Sequence, residues 1–193
     1  MRWASTRSLS WVLPGGGPHA LACAAVLGDR VWAVATFASL APFTTAFNWF
    51  AGMAGRGPSL RAAQHGKDAR VLFEQTSDFD EDSFNSRDYA ALKSEWTSLN
   101  ADAGTATAAG PEGLIADDLA FVKPWGADLS GVRIPVLLAH GGDDRIIPPS
   151  HSQWLLENLP NAELWTRPRD GHVSILNASI SAMDWLQQQA EMD

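Results

Sequence analysis

The sequence predicts an α/β fold, in which a mostly parallel sheet flanked by helices is interrupted by an inserted helical cap. Three observations predict it. A short strand pattern at Leu9–Leu13 runs through a glycine turn into a helix. Nearly uniform apolar strands follow at Arg30–Phe37 and Val136–Ala139, as in buried parallel strands covered by helices on both faces. Between those two strands lie over 80 residues of helical rhythm, too many for an ordinary crossover and therefore read as an insertion.

Taken in order, Gly15-Gly16-Gly17 makes the first turn, and the following helix spans Pro18–Leu27, with proline tolerated in its first turn. The next strand carries Val31, Trp32, Val34 and Phe37. Helices are predicted at Pro58–Gln75 and Ser86–Asn100, the second from the helical spacing of Tyr89, Leu92, Trp96 and Leu99, with the acidic loop Asp78–Asp82 between them. Ala101–Gly110, small and polar, reads as a flexible joint. The sheet pattern returns at Val136–Ala139, continues through a helix at Ser150–Asn158 and ends in a strand at Ala162–Thr166. A last helix follows His172, with Leu176, Ile180 and Met183 as its core-facing stripe and a polar end at Gln187–Asp193. Residues 1–42 and 126–193 are thus assigned to the core and 43–125 to the cap.

With 193 residues, 46% of them apolar, the chain is large enough for one core. A net charge of −8 argues against nucleic acid or an anionic membrane as partner, because phosphate binding needs clustered Lys and Arg. A single cysteine, Cys23, excludes an internal disulfide framework, and its apolar neighbours place it in the core. Every apolar run is interrupted well short of the roughly 18 residues of a membrane span. Arg2 and Arg7 ahead of Ala20–Leu27 imitate an export signal, but Pro14 and three glycines break its apolar core, so a cytoplasmic location is expected. The glycine run lacks a following Gly-Lys-Ser/Thr, and neither glycine fingerprint fits, so no cofactor is expected. His140, Asp117, Asp118, Asp143 and Asp144 offer donor atoms without a ligand-spacing motif, so no metal is expected, and the doublet Asp117-Asp118 reads as solvated surface.

The chemistry concentrates near the C-terminus. The stretch Gly141-x-x-Asp144-x-x-Ile147-Pro148 is followed, after one helix and one strand, by Asp170-Gly171-His172. These segments resemble the acid loop and the histidine loop of the α/β-hydrolase superfamily, of the serine-hydrolase kind with a helical cap. Gly15-Gly16-Gly17-Pro18-His19-Ala20-Leu21-Ala22 resembles the turn after that family's nucleophile, where G-x-S-x-G joins a strand to a helix. The resemblance covers nearly all of this chain but only the C-terminal two-thirds of the family's fold.

What the resemblance implies is specific. Asp144, with Asp143 as the alternative, holds the carboxylate that orients and charge-stabilises His172, and His172 is the general base and acid. Gly15 offers one oxyanion N–H. Phe47, Trp49, Trp96 and Trp125 are expected to wall a pocket for a small, apolar ester, amide or similar substrate. His19 and His140 are structural in this reading. The nucleophile position falls on Pro14, which has no hydroxyl, and Val12 replaces the expected first glycine. Ser8 and Ser10 are the nearest hydroxyls, but they lie within the strand. The implied protein is a truncated and impaired hydrolase, with an altered coding start as one origin of Met1–Pro14. The alternative is a noncatalytic ligand-binding or interaction protein on the same scaffold. An open sheet edge at the first strand would permit self-association.

Overall fold

The computed structural model describes residues 7–108 and 110–191; Met1–Thr6, Ala109, Met192 and Asp193 lie outside the described residues. Four strands, β1 (Ser8–Val12), β2 (Val31–Phe37), β3 (Val136–Gly141) and β4 (Ala162–Arg167), form one sheet in the order β1-β2-β3-β4. Each neighbouring pair is parallel. All four carboxyl ends therefore lie on one edge, and the loops after β1, β3 and β4 bring Pro14, Asp144 and His172 to it.

Side chains alternate across the sheet with period two. On one face Ala33, Ala35, Phe37, Leu137 and Ala139 pack beneath Ile175, Leu176, Ala182 and Leu186, supplied by the 3₁₀ turn Ser174–Ala178 and α8 (Ser179–Glu191). On the other, Val34, Val136 and Leu138 pack against α1 (Gly17–Leu27) and α7 (Ser150–Asn158) through Leu21, Ala24 and Leu155. Every residue of β3 is buried, which accounts for its uniformly apolar sequence up to His140. Removing each Leu or Val side chain from water here contributes about 1.5–3 kcal/mol.

Between β2 and β3 come α2 (Arg56–Gln64), α3 (Lys67–Thr76), α4 (Ser86–Lys93), α5 (Thr97–Ala108) and α6 (Glu112–Phe121). A separate apolar cluster joins Trp49, Leu60, Ala63, Phe121 and Val122 to Ile147 of the loop after β3. Helices α4 and α5 and the turn between them pack elsewhere, adding Ala91, Leu92, Trp96 and Leu99 to the α8 face of the sheet.

Several local expectations are corrected. The helix read at Pro58–Gln75 is two helices broken at Gly66, whose φ of 102° favours glycine. The helix read at Ser86–Asn100 is likewise split between Lys93 and Thr97. The expected joint at Ala101–Gly110 is helical as far as Ala108, because its alanines favour helix more than Asp102, Gly104 and its threonines favour a loop. Cys23 is exposed on α1 rather than buried. In the last helix Leu176 is buried, but Ile180 and Met183 are exposed, and Ala182 and Leu186 face the core instead. The intervening 3₁₀ turn has three residues per turn, so a 3.6-residue period begun at Leu176 loses phase before α8.

Asp118, read as solvated surface, is fully buried in an ion network. Its carboxylate lies 2.7 Å from Arg56 and 2.7 Å from the buried Arg70, which also bonds Glu74 at 2.8 Å. Among the described residues, no helix is long and apolar enough to cross a membrane.

Candidate active site

Two glycines let the loops after β3 and β4 meet. A Cβ on Gly141 would lie 2.3 Å from the Asp170 carbonyl and 2.4 Å from that of Gly171, so any side chain there would force the loops apart. Their backbones are bonded directly: Gly142 N–H donates to Arg167 O at 2.9 Å and Asp143 N–H to Asp170 O at 3.0 Å. The loop after β4 thereby folds back over the end of β3.

At this junction His172 Nδ1 lies 2.9 Å from Asp144 Oδ2. The other oxygen, Asp144 Oδ1, accepts the Ile146 and Ile147 amides at 2.8 and 2.9 Å. Burial opposes the charged carboxylate, but the neighbouring His172, its hydrogen bond and the Ile147 amide together hold Asp144 below the usual carboxylate range. Asp143, the alternative acid, is half-exposed and accepts from Asn85 Nδ2 at 3.1 Å instead.

His140 lies behind the pair, fully buried, with Nε2 3.5 Å from Asp144 Oδ2. Its Nε2–H donates to Ile147 O at 2.7 Å, which leaves Nδ1 to accept from the Ser152 hydroxyl. Burial lowers its pKa despite the nearby Asp144 carboxylate, and it stands as a neutral brace for the acid loop. With His172 Nδ1–H given to Asp144, its Nε2 is the nitrogen left to receive a proton.

The first turn has a different geometry from a nucleophile elbow. Gly16 N–H donates to Leu13 O at 3.0 Å, and Gly15 has φ 93°. Leu13-Pro14-Gly15-Gly16 therefore has the features of a type II turn, with proline where φ is pre-set and glycine where φ must be positive. Ser10 sits inside β1, in register with Val34.

The four aromatic residues expected as pocket walls lie in three clusters. Trp49 is buried in the cluster with Leu60 and Ala63 of α2 and Phe121 of α6, its Nε1 donating to Ala41 O at 3.0 Å. Phe47 stacks on Trp154 and meets the His151 ring edge-on. Trp125 packs on the α1 and α7 face. Trp96 packs on the opposite face and donates to Asn177 Oδ1 at 2.8 Å. His19 is exposed, 3.7 Å from Asp117.

Sequence reasoning missed Asn85 and Asp88, which contact both loops from the start of α4. The signal was present: Asn85-Ser-Arg-Asp88 is a capping box ahead of an apolar helical pattern, and both cap bonds are formed.

A family model for the alpha/beta hydrolase fold matches residues 16–179. A pimeloyl-[acyl-carrier protein] methyl ester esterase of Nitrosomonas europaea is 41% identical over 51 residues, 26% of this chain and 20% of the esterase. Among solved structures, a hydrolase from Pseudomonas aeruginosa superimposes with a TM-score of 0.65 at 17% identity, covering 96% of this chain and 65% of the hydrolase. A thermophilic esterase from Thermogutta terrifontis gives 0.63 at 18% identity, covering 95% of this chain and 66% of the esterase. The matched segment is thus about a fifth of the curated esterase's length, and about two thirds of each solved structure is covered. With its four parallel strands and the model match running from the first turn to the start of α8, this chain belongs to the α/β-hydrolase family.

Proposed function

We propose that Asp144 and His172 are the acid–base half of a hydrolytic site for a small apolar ester, amide or similar substrate, and that this chain turns such substrates over only weakly. The observation that carries the reading is the 2.9 Å bond from His172 Nδ1 to a buried Asp144 whose second oxygen is occupied by two amides. In a serine mechanism such an imidazole takes the hydroxyl proton during attack and returns it to the leaving group. Pro14 supplies no hydroxyl, so His172 is left to take its proton from water. Loss of the nucleophile leaves about 10³ to 10⁴-fold over the uncatalysed rate in well-built serine enzymes. Gly15, exposed on the first turn, is the proposed amide donor to the developing oxyanion. The short match to a methyl ester esterase supports the ester class.

Pro14 favours a second reading, in which the chain binds a small apolar ligand without turning it over. Hydrolysis of p-nitrophenyl butyrate separates the two. The first reading predicts slow turnover that disappears in His172→Ala; equal turnover in both proteins would refute it. Saturable binding of the ester with no product would establish the second.

A further inference from the structure

We propose that Asp88 is a positioning residue for His172, so that helix α4 of the segment between β2 and β3 sets the orientation of the base; this rests on the hydrolytic reading above. Asp88 is buried at 1% exposure, 84 residues from His172 in the chain. Its Oδ2 accepts the His172 amide at 3.1 Å and the Asn85 amide at 3.3 Å. Its Oδ1 accepts the Val173 amide at 2.9 Å, and the Ser174 amide and hydroxyl at 2.8 Å each. Three consecutive amides thus converge on one carboxylate where the 3₁₀ turn Ser174–Ala178 begins. Converging amides form an anion-binding concavity, and bonds to an ionised acceptor are about twice as strong as neutral ones.

Capping α4 explains only the bond to Asn85. None of the four bonds to residues 172–174 is needed to start the helix, and together they fix the backbone that carries the imidazole. His172 is therefore held at both ends: its backbone by Asp88 and its ring by Asp144. The glycine of Asp170-Gly171-His172 follows from the same contact. A Cβ on Gly171 would fall 2.1 Å from Asp88 Oδ2 and 2.8 Å from Asn85 Nδ2, so only glycine admits the carboxylate at this distance. Asn85 meets the acid loop from the same turn, donating to Asp143 Oδ2 at 3.1 Å. One helix end thus touches both loops of the site.

The test is nuclear magnetic resonance on the full chain, following the His172 Nδ1–H resonance and amide exchange in wild type, Asp88→Ala, Asp88→Asn and Asp144→Asn. Asp88→Ala is expected to lose the hydrogen-bonded ring proton and to speed exchange at Val173 and Ser174 by at least about tenfold. The His140 and His151 ring signals are expected to stay unchanged. Asp88→Asn keeps one carbonyl acceptor for those two amides, so it retains the ring proton with intermediate exchange. It also serves as the test if the alanine variant does not fold: wild-type exchange at both amides in Asp88→Asn would overturn the proposal. So would faster exchange in Asp88→Ala with the ring proton unmoved, which would make Asp88 a helix cap only. In Asp144→Asn the Ile146 and Ile147 amides hold the side-chain oxygen and leave its NH2 facing His172, so the ring proton should be lost; its persistence would instead overturn the hydrolytic reading.

Discussion

Lowering the pH tests how α7 is tied to the chain that follows β2. His151 lies on α7, fully buried, and its ring ties the two together: Nδ1 accepts the Ala41 amide at 3.1 Å and Nε2–H donates to Trp49 O at 2.8 Å. The first bond requires the neutral ring, because a protonated Nδ1 cannot accept. Burial pushes His151 down from the ordinary 6.5 to about 4, although the Trp49 carbonyl favours the charged form. The unfolded chain therefore binds more protons between those two values, and stability falls as pH drops through that window. Integrating the two titrations gives a loss of about 2 kcal/mol between pH 7.5 and pH 5, approaching about 3 kcal/mol below pH 4. Asp144 acts in a different window: its lowered pKa contributes stability above the ordinary 3.8 that is lost only below it. Urea unfolding of wild type and His151→Gln at pH 7.5 and pH 5 reads the difference. The wild type should lose about 2 kcal/mol more than the variant over this interval; equal losses would refute the reasoning.

Other perturbations probe the remaining links. Gly171→Ala puts a methyl group against Asp88 and should cost about 1–3 kcal/mol in thermal or urea unfolding, with displacement of the His172 signals. Asp118→Ala leaves Arg70 buried without its main partner and should destabilise by about 3–5 kcal/mol in urea, whereas Asp117→Ala, one residue away and exposed, should be close to neutral. Leu186→Ala should cost about 2–5 kcal/mol and Ile180→Ala no more than about 0.5 kcal/mol, which checks the phase of α8 directly.

The sheet was legible because buried parallel strands leave a simple trace: Val31–Phe37 and Val136–Gly141 are mostly apolar on both faces, and α1 and α7 begin at glycine and proline turns. Asp144 and His172 were legible as motifs, since each occupies a loop directly after a strand. What could not be read was long-range. Asp88 meets residues 172–174 across 84 to 86 positions, and nothing local distinguishes it from an ordinary capping carboxylate. Asp118 looks the same as Asp117 until α2 and α3 bring Arg56 and Arg70 to it. The misplaced stripe at Ile180 and Met183 failed for a local reason, the change of helical period at Ser174–Ala178. Cys23 faces solvent because α1 packs on the sheet through Ala20, Leu21 and Ala24.

The central claim is an acid–base pair set beside a turn that carries no attacking hydroxyl, and mass spectrometry after incubation with a fluorophosphonate tests it most directly. The intact chain is predicted to keep its mass. A single phosphonyl adduct on a serine such as Ser10, absent from His172→Ala, would contradict it by showing that another side chain serves as the nucleophile.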